Sequence, residues 1–114
     1  MIYGLLEIEI MNSIWRIQEA DEDANISIAD VVQSLSNGEI DRAYTTVKTV
    51  MDRLASKGIL ARYKSGKKFF YRSTIEKEEA SRSALQTISN QFFGGNYVQM
   101  LRFIERECAA HLLG

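Results

Sequence analysis

The sequence contains no proline, one cysteine and one histidine. Without proline, nothing interrupts a helical run from within, so a helix-rich chain is expected. A single cysteine excludes an intramolecular disulfide framework and fits a reducing compartment. The one histidine, His111, stands near the C-terminus. There it is poorly placed to serve a serine or cysteine nucleophile with an orienting acid, so an enzyme is not expected. No apolar run approaches the ~18 residues of a membrane-spanning helix. Met1-Ile2-Tyr3-Gly4 offers no basic start before an apolar core, so no signal peptide is expected and the cytoplasm is the expected location. What remains is a chain of 114 residues, 46% hydrophobic and 25% charged, enough for one domain or a small domain with an appendage.

The formal net charge of −1 conceals a segregation of charge. Arg42, Lys48, Arg53, Lys57, Arg62, Lys64, Lys67, Lys68 and Arg72 fall in one segment whose only acid is Asp52. The rest of the chain holds five basic and fourteen acidic residues. Such asymmetry points to a polyanionic partner when a structural context supports it.

The periodicity supplies that context. Ile10, Ile14 and Ile17, flanked by Ile8, Met11 and Trp15, predict a core helix over Leu5 to Glu19. Ser27 with Asp30 forms a capping box, and Ile26 with Val31 a hydrophobic staple, opening a short second helix that ends at Ser36-Asn37-Gly38. Val47, Val50, Met51 and Leu54 predict a third helix from Arg42 to Lys57, capped from Asp41 or just after and stopped by Gly58. Two runs, Ile59 to Lys64 and Lys68 to Arg72, flank Ser65-Gly66-Lys67 and read as a β-hairpin. Ser73 or Thr74 caps a fourth helix expected from Ile75 to Phe93, with Ala84, Leu85, Ile88 and Phe92 as its stripe. Gly94-Gly95 breaks it, and a fifth helix from near Asn96 carries Tyr97, Leu101, Ile104 and Cys108.

Three helices followed by a hairpin is the layout of a winged helix-turn-helix module. The expected fold is mainly α with a small β-hairpin wing: a DNA-binding domain over 1–73 and a helical dimerisation region over 74–114. The third helix would enter the major groove, with Thr45, Thr46, Lys48, Thr49 and Arg53 outward; a threonine offers a hydroxyl and a methyl to base edges. The basic wing, with Arg62, Lys64, Lys67 and Lys68, would lie on phosphates. Leu85, Ile88, Phe92, Tyr97, Leu101 and Ile104 need a partner to cover them, which points to a homodimer.

The stretch Ala43-Tyr44-Thr45-Thr46-Val47-Lys48-Thr49-Val50-Met51-Asp52-Arg53-Leu54, followed by Lys57-Gly58-Ile59-Leu60, resembles the recognition helix of the penicillinase repressor (BlaI/MecI/CopY) family. Leu6-Glu7, Ile10-Met11 and Ile14-Trp15, then Tyr71-Arg72 and Phe93-Gly94-Gly95, extend the likeness over nearly the whole chain. The resemblance implies a bacterial dimeric repressor that binds inverted-repeat operators, often of TACA/TGTA type, and a pathway in which a membrane sensor protease relieves repression. By position it places Thr45 and Thr46 at the bases, with Tyr44 and Thr49 at the flanking backbone. The chain departs from the family pattern at Arg102, where a polar amide is expected in the cleaved stretch of the last helix, and at Ser73, which replaces a proline after the wing. It also lacks the paired Cys-x-Cys motifs of copper-responsive members.

The remaining candidates have simpler readings. Cys108 and His111 supply two ligands per chain and no expected metal site, although a dimer could contribute four. No cofactor is expected. Trp15 reads as core. Phe69 and Tyr71 share one side of their strand and Phe70 takes the other, so packing is favoured over stacking on single-stranded bases. Gly94-Gly95 lacks the pattern of a phosphate loop, and Asp21-Glu22-Asp23 the spacing of a calcium loop. The alternative function is a winged-helix protein-interaction module, which would present large apolar anchors on helix three in place of small polar groups.

Overall fold

The computed structural model describes residues 3–38 and 41–113, the last two of them by backbone only; Met1 and Ile2 of the stretch read for a signal peptide lie outside. Along the chain run α1 (Leu5–Ala20), α2 (Ile28–Asn37), α3 (Tyr44–Ser56), β1 (Leu60–Ser65), β2 (Lys68–Ser73), α4 (Lys77–Phe92) and α5 (Tyr97–Leu113). They form two units, Tyr3–Lys77 and a smaller one of residues 78–113.

In the larger unit the apolar stripes converge on one core. Ile10, Met11, Ile14 and Trp15 from α1 are buried with Ile28, Val31 and Leu35 from α2 and Val47, Val50, Met51 and Leu54 from α3. Ile26, Ile59, Leu60 and Tyr71 complete it. Each such aliphatic side chain contributes roughly 1.5–3 kcal/mol on burial. Trp15 is core, as its pattern predicts, and its indole N–H is satisfied by Ser73 Oγ and the Ile75 carbonyl, each at 3.1 Å. Ser27 caps α2 reciprocally: its hydroxyl accepts from Asp30 N–H at 3.1 Å, and the Asp30 carboxylate accepts from Ser27 N–H at 2.9 Å.

Helix α3 begins at Tyr44, two residues later than the apolar periodicity predicts. Ala43 is extended (φ −66°, ψ 142°) and has no side-chain oxygen to cap with. Asp41 lies outside the helix. At the other end Gly58 takes φ 78°, Gly58 N–H donates to Ala55 O and Ile59 N–H to Leu54 O, both at 3.0 Å. This is a Schellman closure, and it turns the chain directly into β1.

The hairpin pairs antiparallel from Leu60↔Ser73 to Ser65↔Lys68 around Gly66-Lys67, with Gly66 at φ 66°. A bridge unforeseen from sequence adds Ile26 to this ribbon, where Tyr71 N–H donates to Ile26 O at 2.8 Å.

Ser73 and Thr74 do not cap α4, and the helix starts at Lys77 instead of Ile75. Their hydroxyls are spent elsewhere: Ser73 Oγ on Trp15 and Ile75, Thr74 Oγ1 on the carbonyls of Gly58 and Ile59. In the smaller unit Gly94 and Gly95, at φ 57° and 81°, break the helix as predicted. Asn96 then caps α5, its Oδ1 accepting from Val98 and Gln99 N–H at 3.0 and 3.2 Å. Tyr97 donates to Gln86 Oε1 at 2.6 Å, and the Phe93 and Phe103 rings lie 5.6 Å apart, holding α5 to α4.

Candidate nucleic-acid interface

With Val47, Val50, Met51 and Leu54 buried, the helical period turns the rest of α3 outward. Tyr44, Thr45, Thr46, Lys48, Thr49 and Arg53 are all exposed. Thr49 Oγ1 donates to the Thr45 carbonyl at 2.9 Å, which commits its proton and leaves its methyl and lone pairs outward. Two acids of α1 brace the segment. Glu9 stands 3.7 Å from Arg42 just before α3, and Glu7 3.4 Å from Lys57 just after it.

On the wing Arg62, Lys64, Lys67 and Lys68 are exposed. Phe69 and Tyr71 share a strand side but not an environment: Phe69 is 47% exposed and Tyr71 2%. Tyr71 lies in the core, and Phe69, two residues nearer the hairpin tip, stands clear of it. There the Phe69 ring carries the Arg62 guanidinium at 4.6 Å and the Lys64 ammonium at 5.3 Å, a cation–π contact that orders both cations at the surface.

Asp52 joins helix to wing. Its carboxylate lies 2.7 Å from Lys48 Nζ and 3.7 Å from the Arg62 guanidinium, and it accepts a 2.8 Å hydrogen bond from the Tyr71 hydroxyl. With Arg42 and Lys57, four cations that the sequence counts as free are therefore paired in the folded chain. The Lys48 hydrogen bond leads the effects that hold the Asp52 carboxyl below the usual carboxylate range, against a smaller opposing push from burial. Burial, and then the hydrogen bond to Asp52, raise the Tyr71 phenol to about 12.

Because the folded value is raised, the neutral phenol's stabilising contribution is complete below the unfolded value near 10 and is lost as pH climbs through about 12. In a spectrophotometric titration at 295 nm, one tyrosine should ionise only near pH 12, and Tyr71→Phe should remove that step.

The smaller unit presents a different surface. Leu85 (47%), Ile88 (43%), Phe92 (76%), Tyr97 (44%), Leu101 (55%) and Ile104 (44%) are all exposed, as are Val98 and Phe103. Cys108 is a free, exposed thiol. Among the described residues no group of three or more His, Cys, Asp or Glu gathers as a metal site, and no helix is long and apolar enough to cross a membrane.

Sequence reasoning missed Asp52 as a junction. The Lys48–Asp52 spacing of four was a readable helical ion pair. The contacts to Arg62 and Tyr71 are tertiary and left no local signal.

The penicillinase repressor family model matches residues 3–111. The chain is 27% identical over 105 residues to the penicillinase repressor of Staphylococcus aureus, covering 91% of this chain and 78% of that one. It is 28% identical over 102 residues to the methicillin resistance regulatory protein MecI of Staphylococcus aureus strain N315, covering 89% and 77%. Its structure is similar, with a TM-score of 0.51 and 26% identity over 69% of this chain and 88% of the other, to monomeric BlaI of Bacillus licheniformis solved in complex with the blaP half-operator. The chain belongs to the penicillinase repressor family, a family of transcriptional repressors and not of enzymes.

Proposed function

We propose that this chain is a bacterial transcriptional repressor that binds an inverted-repeat operator as a homodimer, with α3 in the major groove and the wing on the phosphate backbone. The observation that carries the reading is the outward face of α3, small, polar and basic, contiguous through Asp52 with the basic wing. Among the large apolar side chains that are exposed, only Tyr44 belongs to α3. A face built to bind protein would present several such anchors. That the similar BlaI chain was solved in complex with a half-operator supports DNA as the partner.

The dimer reading rests on the six apolar side chains of α4 and α5, whose exposure in one copy is the surface a second copy would bury. Relief through a membrane sensor protease belongs to the same proposal. The stretch Leu101-Arg102-Phe103-Ile104-Glu105 lies inside α5, so cleavage there requires that turn to unwind first. A gel shift on DNA from upstream of the chain's own gene, competed with scrambled duplex, tests the function.

Roles within the interface separate in a paired experiment. Thr46→Ala removes a base-edge contact and should cost discrimination between operator and random DNA of about 1–3 kcal/mol. Lys67→Ala removes a phosphate contact and should weaken both DNAs alike, lowering the salt slope by about one ion. Equal losses on both DNAs with unchanged slopes in both variants would show that the roles are misassigned.

A further inference from the structure

We propose that Asp52 is a positioning residue that withholds Lys48 and Arg62 from nonspecific phosphate and yields them only when the operator is fully seated. The inference rests on the DNA-binding reading above and adds to it a determinant of specificity.

Nonspecific attraction to DNA grows with the number of cations free to replace counterions. The basic segment holds nine, of which Arg42 and Lys57 already face Glu9 and Glu7 of α1, and its single acid stands between α3 and the wing with a cation on each side, at 2.7 Å and 3.7 Å. The position is fixed by the nearly buried Tyr71, whose hydroxyl donates at 2.8 Å to Asp52 Oδ1, the oxygen that also faces Arg62. Asp52 cannot swing away with Lys48 without giving up that hydrogen bond. Its carboxylate also repels any phosphate that approaches this part of the surface. Lys67 and Lys68, by contrast, are exposed at the hairpin tip with no acid beside them among the described contacts.

Exposed ion pairs are weak, because water and salt screen them. A phosphate held close to Lys48 or Arg62 by a correctly seated helix can therefore replace Asp52 as their partner. A loosely associated duplex cannot hold a phosphate there long enough to do so. The arrangement lowers affinity for random DNA more than affinity for the operator.

The experiment uses the full chain, a random-sequence duplex, and a duplex from upstream of its own gene. Asp52→Asn should bind random DNA about tenfold more tightly near 0.1 M salt, with a slope steeper by about one to two ions, since each phosphate contact contributes a slope of about −0.9. Its preference for the upstream duplex should fall by a similar factor. Asp52→Glu, which keeps the charge, should restore the original slope. A lost brace alone would weaken binding without steepening the slope.

Lysine acetylation footprinting of the unsubstituted chain tests the same point without relying on a variant that folds. Random DNA should protect Lys67 and Lys68 but not Lys48, and the upstream duplex should protect all three. Equal protection of Lys48 by both DNAs, or an unchanged slope in a folded Asp52→Asn, overturns the inference. If the unsubstituted chain shows no preference for the upstream duplex, it is the DNA-binding reading that fails instead.

Discussion

Replacing Leu101 and Ile104 together by glutamate is expected to weaken operator binding by roughly two to four orders of magnitude, through lost avidity. Both residues lie one turn apart on α5 and are 55% and 44% exposed in a single copy. Two carboxylates on a surface that must be dehydrated on pairing leave charge buried without partners. The affinity of one winged helix for one half-site should survive, because the core that shapes α3 and the wing lies within Tyr3–Lys77. What disappears is the second binding event at high effective concentration. Deleting the chain from Asn96 onward should do comparable damage. Sedimentation should show the substituted chain as a monomer at micromolar concentration, and a titration should give it equal affinity for intact and half operators. A substituted chain that still prefers the intact operator would remove the basis for dimer-dependent reading.

Tyr71→Ala should be the most damaging single truncation in the wing, costing about 3–5 kcal/mol by analogy with other buried aromatic truncations. The ring is 2% exposed, and its hydroxyl anchors Asp52. The same residue's backbone carries the bridge to Ile26, so loosening here reaches both the hairpin and the entry to α2. Tyr71→Phe keeps the packing and gives up one hydrogen bond to a charged group, worth about 1.5–3 kcal/mol or less at this partly open site. Thermal unfolding followed by circular dichroism should therefore place Ala well below Phe, with a drop of more than about 10 °C for Ala. Equal melting temperatures for the two would mean that the ring contributes nothing beyond its hydroxyl.

Local signals in the sequence were strong where one chemistry dominates. The Ser27 and Asp30 box, the Gly58 closure and the Gly66 turn each satisfy backbone groups within a few residues, and each stands where its spacing predicts. The helix starts at α3 and α4 were misplaced because capping competes with tertiary bonding. Ser73 and Thr74 have the chemistry of caps, but Trp15 and the carbonyls of Gly58 and Ile59 claim their hydroxyls. Ala43 offers no cap and enters α3 extended. At the interface, residue types and helical period located the exposed groups on α3 and the wing. They did not reveal that Lys48 and Arg62 share an acid, since Arg62 and Tyr71 reach Asp52 only after the hairpin folds over α3. Nor did strand alternation separate Phe69 from Tyr71, whose different burial depends on where the core ends.

Whether α3 and the wing read a specific inverted repeat is decided by competition binding at physiological salt. Labelled duplex from upstream of the chain's own gene is challenged with the unlabelled sequence and with a scrambled sequence of the same length. The scrambled competitor should be needed at about a thousandfold excess or more, the usual gap between specific and nonspecific protein–DNA binding. Displacement by both competitors at the same concentration would contradict it.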